Sequence, residues 1–273
     1  MENGNSQAVP EQFRRTALVL GTDGLTRLRG ATVTAVGLGA VGSYALEALA
    51  RSGVGKFRIV DFDVVQPSNI NRQLFATHET VGRLKTDVAR ERVLAINPSA
   101  QVETKSILIN EKTIDGLFSG DWSEPSDYYV DAIDSLGPKV FLIAELARRN
   151  LRFISSMGAA LRLDASLVQV GRLTDVVCCP LAAQIRKRLR RLGINTDAVR
   201  CVYSPEPIRD ALKSGATLLE RVAPAAPLTE ANANDPPGRP RNTLGSLPTI
   251  VGLFGLRIAH EVMLELSGMN AAQ

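Results

Sequence analysis

Over residues 30–156, short β-branched runs alternate with longer segments of helical composition. Residues 31–36 (ATVTAV) and 57–60 (FRIV) read as strands, and residues 40–50 between them carry alanine, leucine and glutamate behind a glycine-rich turn, which predicts a helix. The three make a βαβ unit. The same alternation predicts strands at 102–108, 128–133 and 153–156 and helices at 81–96 and 138–149. The expected fold class is α/β: a Rossmann-like, mostly parallel sheet with helices on both faces and right-handed crossovers. Beyond about residue 170 the alternation stops. A strongly basic helix is predicted over 181–192, a mobile loop over 223–242, where five prolines gather with Asn, Asp and Gly, and a closing apolar helix over 247–266 that packs back on the sheet. The expectation is one domain spanning 1–273, with the basic helix and flexible loop inserted at about 175–244.

Composition narrows the function classes. A chain of 273 residues that is 45% hydrophobic and 5% aromatic can bury a sizeable core, which excludes fibrous, disulfide-scaffold and wholly disordered readings. The excess of 32 Lys and Arg over 28 Asp and Glu gives only +4, so any nucleic-acid binding must come from clustering rather than total charge. Three cysteines, two of them adjacent (Cys178, Cys179), build neither a disulfide framework nor a Cys-x-x-Cys zinc pair, and point to a reducing, cytoplasmic compartment. The opening MENGNSQAVPEQFRR has no apolar signal core, and Arg257, His260 and Glu261 mark the last apolar stretch as a core helix rather than a membrane span. No membrane partner is expected.

Gly37-Leu38-Gly39-Ala40-Val41-Gly42 follows a predicted strand and opens a predicted helix. In that context glycines permit a tight turn and a close backbone approach, while free N–H groups at the helix start meet phosphate charge. The alternative is a packing role alone. Asp61 ends the next strand, 19 residues after Gly42, where a carboxylate can accept from ribose hydroxyls. These features leave ATP and NAD equally open. The following segment, Asp61-Phe62-Asp63, Ser68-Asn69-Ile70-Asn71-Arg72-Gln73 and Gly82-Arg83-Leu84-Lys85, separates them. Hydride transfer has no use for an Arg and a Lys thirteen residues apart beside the phosphates, whereas nucleotidyl transfer does, because charge develops on the α-phosphate and the departing pyrophosphate.

GLGAVG, DFD, SNINRQ and GRLK, in this order and spacing, resemble the ThiF/MoeB adenylating superfamily, to which ubiquitin-activating enzymes belong. The resemblance implies ATP and Mg2+ as cofactors and a ThiF/MoeB-type adenylation fold. It implies Gly37, Gly39 and Gly42 at the phosphates, Asp61 at the ribose, Asn69, Arg72 and Gln73 along the triphosphate, and Lys85 on the phosphates, with Asp63, Asn71 and Ser135 completing the nucleotide set. In Asp131-Ala132-Ile133-Asp134-Ser135, Asp134 matches the magnesium ligand, which the family normally follows with Asn; Asp131 reads as structural. Arg72, Lys85 and Asp134 would carry the catalysis. Arg15, in Phe13-Arg14-Arg15-Thr16, falls where many members send an arginine into the other subunit's ATP site, which implies a homodimer with Arg15 as a cross-dimer phosphate ligand.

The ThiF and MoeB branches usually carry two zinc pairs, absent here. Instead Asp131–Ser135, Cys179-Pro180-Leu181-Ala182, Cys201-Val202-Tyr203-Ser204-Pro205-Glu206 and Gly245-Ser246 resemble the tRNA threonylcarbamoyladenosine dehydratases, over roughly residues 12–266. That branch implies ATP-dependent cyclisation of the modified adenosine next to the tRNA anticodon, through an acyl-adenylate of its threonyl carboxylate. Ring closure within one nucleoside needs no enzyme nucleophile. Cys201 is therefore either the receiver of sulfur from a cysteine-desulfurase-linked partner or a semi-buried thiol without a role. Ser155 to Ala160 replaces a glycine-richer turn of that branch, which bears on the approach of a substrate or of a monovalent cation, a further candidate cofactor. Arg186, Lys187, Arg188, Arg190 and Arg191 put five cations within six positions around an apolar stripe of Ile185, Leu189 and Leu192, a candidate tRNA strip; the alternative is a solvated helix face. Competing readings are an adenylating enzyme for a ubiquitin-like or sulfur-carrier protein, a non-catalytic nucleotide-binding scaffold, and an NAD-dependent oxidoreductase.

Overall fold

The structure is a computed structural model and describes residues 9–208 and 244–269. In chain order the elements are α1 (Arg14–Gly30), β1 (Thr32–Val36), α2 (Ala40–Ser52), β2 (Lys56–Val60), α3 (Lys85–Ile96) and β3 (Gln101–Lys105). They continue as β4 (Tyr128–Asp131), α4 (Leu136–Arg148), β5 (Phe153–Ser156), β6 (Gln169–Arg172), α5 (Pro180–Arg191), β7 (Arg200–Tyr203) and α6 (Pro248–Ser267). The strands form one sheet in the order β3-β2-β1-β4-β5-β7-β6, parallel throughout except for the antiparallel β6–β7 pair.

Alternation along the strands assigns the two faces. Val33 and Ala35 of β1 and Tyr128 and Val130 of β4 join Leu46, Val93, Phe254 and Ile258 in the core under α2, α3 and α6. Val36, Val60 and Tyr129 face the other way and pack on Leu142 and Leu146 of α4. A third cluster seats α5 through Ile185 and Leu189 against α4 and β7. The anticipated α/β sheet with helices on both faces is present. On the first face α6 crosses α2 closely: a Cβ on Gly255 would lie 2.4 Å from the Val41 carbonyl oxygen, so only glycine allows that approach.

The sheet has seven strands where the sequence predicted five. Strand β6, with the sequence QVGR, lies at the sheet edge and β7 spans four residues, too short for periodicity to mark. Helix α1 was also not anticipated, since its turn pattern is interrupted at Gly21, whose φ of 74° kinks the chain. Helix α3 begins at Lys85 rather than 81, because Gly82 takes φ +84° and Leu84 bridges Val64 in an isolated β-pairing. Strands 102–108 and 128–133 stop early, at Lys105 and Asp131. The proline-rich loop at 223–242 lies outside the described residues. Among the described residues, no helix is long and apolar enough to cross a membrane.

Candidate active site

The strand order reverses between β1 and β4, the crevice where open α/β sheets bind ligands at the carboxyl ends of their strands. The glycine turn leaves β1 at this point. Gly37 has φ +91°, and a Cβ there would sit 2.8 Å from the Ala132 carbonyl on the loop after β4. A Cβ on Gly42 would lie 1.9 Å from the Gly37 carbonyl oxygen. The turn and the β4 loop are thus in backbone contact. No side chain caps the start of α2 at Gly39, so its first N–H groups are open to an anion.

Asp61 is buried and accepts the N–H of Leu38 at 2.6 Å and of Asp63 at 2.8 Å, tying the strand end to the glycine turn. Burial pushes its carboxyl up, opposed by Lys85 and these two amides. Lys85, 8% exposed at its side chain, places Nζ 2.8 Å from Asp63 Oδ2. Gln73 Nε2 approaches Gly39, and the Leu74 N–H donates to Ser43 Oγ at 3.1 Å, which joins the 66–76 segment to α2. In that segment Asn69 forms a capping box with Gln66, a structural task that the sequence did not reveal. The half-buried Arg72 is held by the Ser68 carbonyl at 2.9 Å and by Asn71 Oδ1 at 2.8 Å.

The loop after β4 rests on an ion pair that sequence reasoning missed. Lys139 Nζ lies 2.8 Å from Asp131 Oδ2, both side chains 0% exposed. Lys139 also donates to the Ile133 carbonyl at 2.9 Å, and Asp131 Oδ1 accepts the Ile133 N–H at 3.1 Å. Both polar groups of Ile133 are therefore clamped by the pair. Ser155 Oγ adds a bond to Asp131 at 2.7 Å. The next residue, Asp134, is exposed, with Ser135 Oγ donating to Oδ1 at 3.0 Å.

Among the described residues no group of three or more His, Cys, Asp or Glu is arranged around a metal position. A magnesium ion bound with a nucleotide takes one or two carboxylates beside phosphate oxygens and water, so a lone exposed Asp134 fits that donor set. A groove of about 700 Å3 lined by Asp23, Arg29, Lys56 and Gln101 opens at the opposite, amino-terminal edge of the sheet.

The ThiF family model matches residues 13–273. The chain belongs to the ThiF family. It is 40% identical over 195 residues to a Bacillus subtilis tRNA threonylcarbamoyladenosine dehydratase, covering 71% of this chain and 75% of the relative. The Escherichia coli protein of the same name is 35% identical over 209 residues, 74% and 76% of the two chains. A crystal structure of the E. coli tRNA N6-threonylcarbamoyladenosine dehydratase with ATP superposes with TM-score 0.79 and 29% identity over 96% of each chain.

Outside the switch point, this ThiF-family chain distributes the remaining candidates unevenly. On α5, Lys187, Arg188, Arg190 and Arg191 are exposed, whereas Arg186 turns inward and donates to the carbonyls of Leu173 at 2.9 Å and Val176 at 2.6 Å. Four exposed cations are left on this helix, because Arg186 caps the preceding loop. Cys179 Sγ accepts the Ala182 N–H at 3.4 Å and caps α5. Cys201 is fully buried on β7, and burial pushes its thiol up to about 12. A thiol in that state is neutral and shielded, unlike an accessible sulfur acceptor. Arg15 is exposed at the start of α1, beside Leu18 and Val19, which are 80% and 74% exposed.

Proposed function

We propose that this chain is an ATP-dependent tRNA threonylcarbamoyladenosine dehydratase. The threonyl carboxylate attacks the α-phosphorus of ATP, pyrophosphate leaves, and an atom of the same nucleoside then attacks the acyl carbon and expels AMP. One water is lost overall from the modified adenosine. The observation that carries the ATP half is the switch-point turn, where open helix N–H groups, the Gly37–Ala132 contact and the Lys85–Asp63 pair meet. In this reading Lys85 and Arg72 balance charge that grows on the phosphates, and Asp134 would hold Mg2+, which shields the triphosphate when bound. The tRNA half is supported by the dehydratase relatives and by the four exposed cations of α5. A homodimer, supported by the exposed Leu18 and Val19 beside Arg15, would bring Arg15 to the partner's phosphates. The reading takes residues 1–273 as a single adenylating domain acting in the cytoplasm.

Nucleoside mass spectrometry tests it. A tRNA carrying threonylcarbamoyladenosine, incubated with the protein, ATP and Mg2+, should yield the dehydrated nucleoside together with AMP. No loss of water, with a sulfur-carrier protein stimulating ATP–pyrophosphate exchange instead, would assign the chain to carrier-protein adenylation.

A further inference from the structure

Arg162, on the segment between β5 and β6, is 2% exposed. Its Nη2 donates to the Cys178 carbonyl at 2.6 Å, while Nε and Nη1 are buried with no hydrogen-bond partner. A buried guanidinium is costly unless an anion meets it, and none among the described residues does. The buried Glu206 spends its Oε2 on the N–H groups of the two residues that follow Arg162, Leu163 at 2.9 Å and Asp164 at 3.1 Å. The preceding residue, Leu161, takes φ +60°, a left-handed conformation that is unfavourable for leucine. Backbone strain and an uncompensated charge on adjacent residues mark a place held for a ligand.

Its neighbours indicate which ligand. The Leu161 N–H donates to the Gly245 carbonyl at 2.9 Å, and the carbonyl of the following Ser246 accepts Asn71 Nδ2 at 3.4 Å, which ties this segment to the nucleotide loop. On its other side Arg162 is anchored to Cys178, two positions before α5 begins. The guanidinium thus stands between the nucleotide loop and the basic helix, where a tRNA nucleoside held by α5 must present its reacting group. Phosphate charge of the nucleotide already has Arg72, Lys85 and the start of α2.

We propose that Arg162 receives the threonyl carboxylate of the substrate nucleoside and selects threonylcarbamoylated over unmodified tRNA. A planar fork of N–H donors matches a two-oxygen anion. The inference rests on the dehydratase reading and is tested separately from it. Binding of the two tRNAs, one with threonylcarbamoyladenosine and one with plain adenosine at that position, is measured without ATP for the wild type, Arg162→Gln and Arg162→Lys. The wild type should prefer the modified tRNA. Arg162→Gln should lose about ten- to a hundredfold of affinity for it, the worth of a charge-assisted bond, with ATP and plain-tRNA affinities within about twofold of the wild type. Arg162→Lys should recover part of the preference. Removing an unpaired buried charge should also leave the melting temperature unchanged or raise it. A preference intact in Arg162→Gln, or a parallel loss of ATP and plain-tRNA binding with a lowered melting temperature, overturns the assignment. A wild type that dehydrates the nucleoside yet binds both tRNAs equally overturns it too while leaving the reaction in place; absence of any dehydrated product fails the reaction itself.

Discussion

Lys139→Met tests whether the buried pair under the β4 loop sets the geometry of Asp134. The substitution keeps an unbranched side chain, one atom shorter, and removes the charge, leaving the Asp131 carboxyl group at 0% exposure with only Ser155 Oγ and the Ile133 N–H as donors. Breaking a buried pair from one side costs about 3–5 kcal/mol, and the Ile133 carbonyl also loses a donor at 2.9 Å. The expected loss is about 4 kcal/mol, a large share of the roughly 5–15 kcal/mol by which a domain is stable. Urea titration should show a lower midpoint with an unchanged slope. Adding Asp131→Asn removes the stranded charge, so the double variant should regain about half of the loss. Because the Ile133 carbonyl still lacks its Lys139 donor in the double variant, the affinity for ATP with Mg2+, read by calorimetry, should stay below the wild type despite the recovered stability. A cost under about 1 kcal/mol for Lys139→Met, or a double variant that loses the sum of both singles, would refute the argument.

Four further outcomes follow from the residues described. Lys85→Ala removes the cation paired with Asp63 and should lower AMP formation by about a hundredfold or more while the fold is retained, checked by single-turnover product release and circular dichroism. Changing Lys187, Arg188, Arg190 and Arg191 together to Gln should reduce the slope of log affinity for tRNA against log salt by about one per lost phosphate contact. Arg186→Gln alone should instead lower stability, since it releases the carbonyls of Leu173 and Val176. Cys201 has its folded thiol pushed up to about 12 from an ordinary value of 9.0, so its contribution to stability is complete below pH 9 and lost as pH rises towards 12. Urea midpoints between pH 8 and 11 should fall more steeply in the wild type than in Cys201→Ala, and equal slopes would show that the thiol contributes nothing.

Which parts of this molecule could be read from sequence depends on how local their causes are. The glycine turn was legible because Gly37 and Gly42 each answer a close approach that no other residue tolerates, and because the turn sits between a strand and a helix in the chain itself. Strands β6 and β7 were not, since Gln169–Arg172 owes its conformation to pairing with Arg200–Tyr203 rather than to its own composition. Lys139 carries no local mark: eight positions from Asp131, nothing in the chain shows that the first turn of α4 folds back over Ile133. Arg186 was counted with its basic neighbours, yet the helix face it occupies points at Leu173 and Val176. Arg162 carries no pattern at all, and its meaning lies in the partners it lacks.

The glycine-only crossing of α6 over α2 at Gly255 and Val41 bears on when the site comes into being. The glycine turn is encoded near residue 40, but the helix that follows it is buried against Phe254, Ile258 and Val262 of the last described helix. During synthesis, a nascent chain that has extruded the whole glycine motif and every strand still leaves the apolar back of α2 wet. On the proposed reading, nucleotide competence is therefore a late event, and a chain that ends before α6 should bind ATP more weakly, because α2 then lacks the packing of Phe254, Ile258 and Val262.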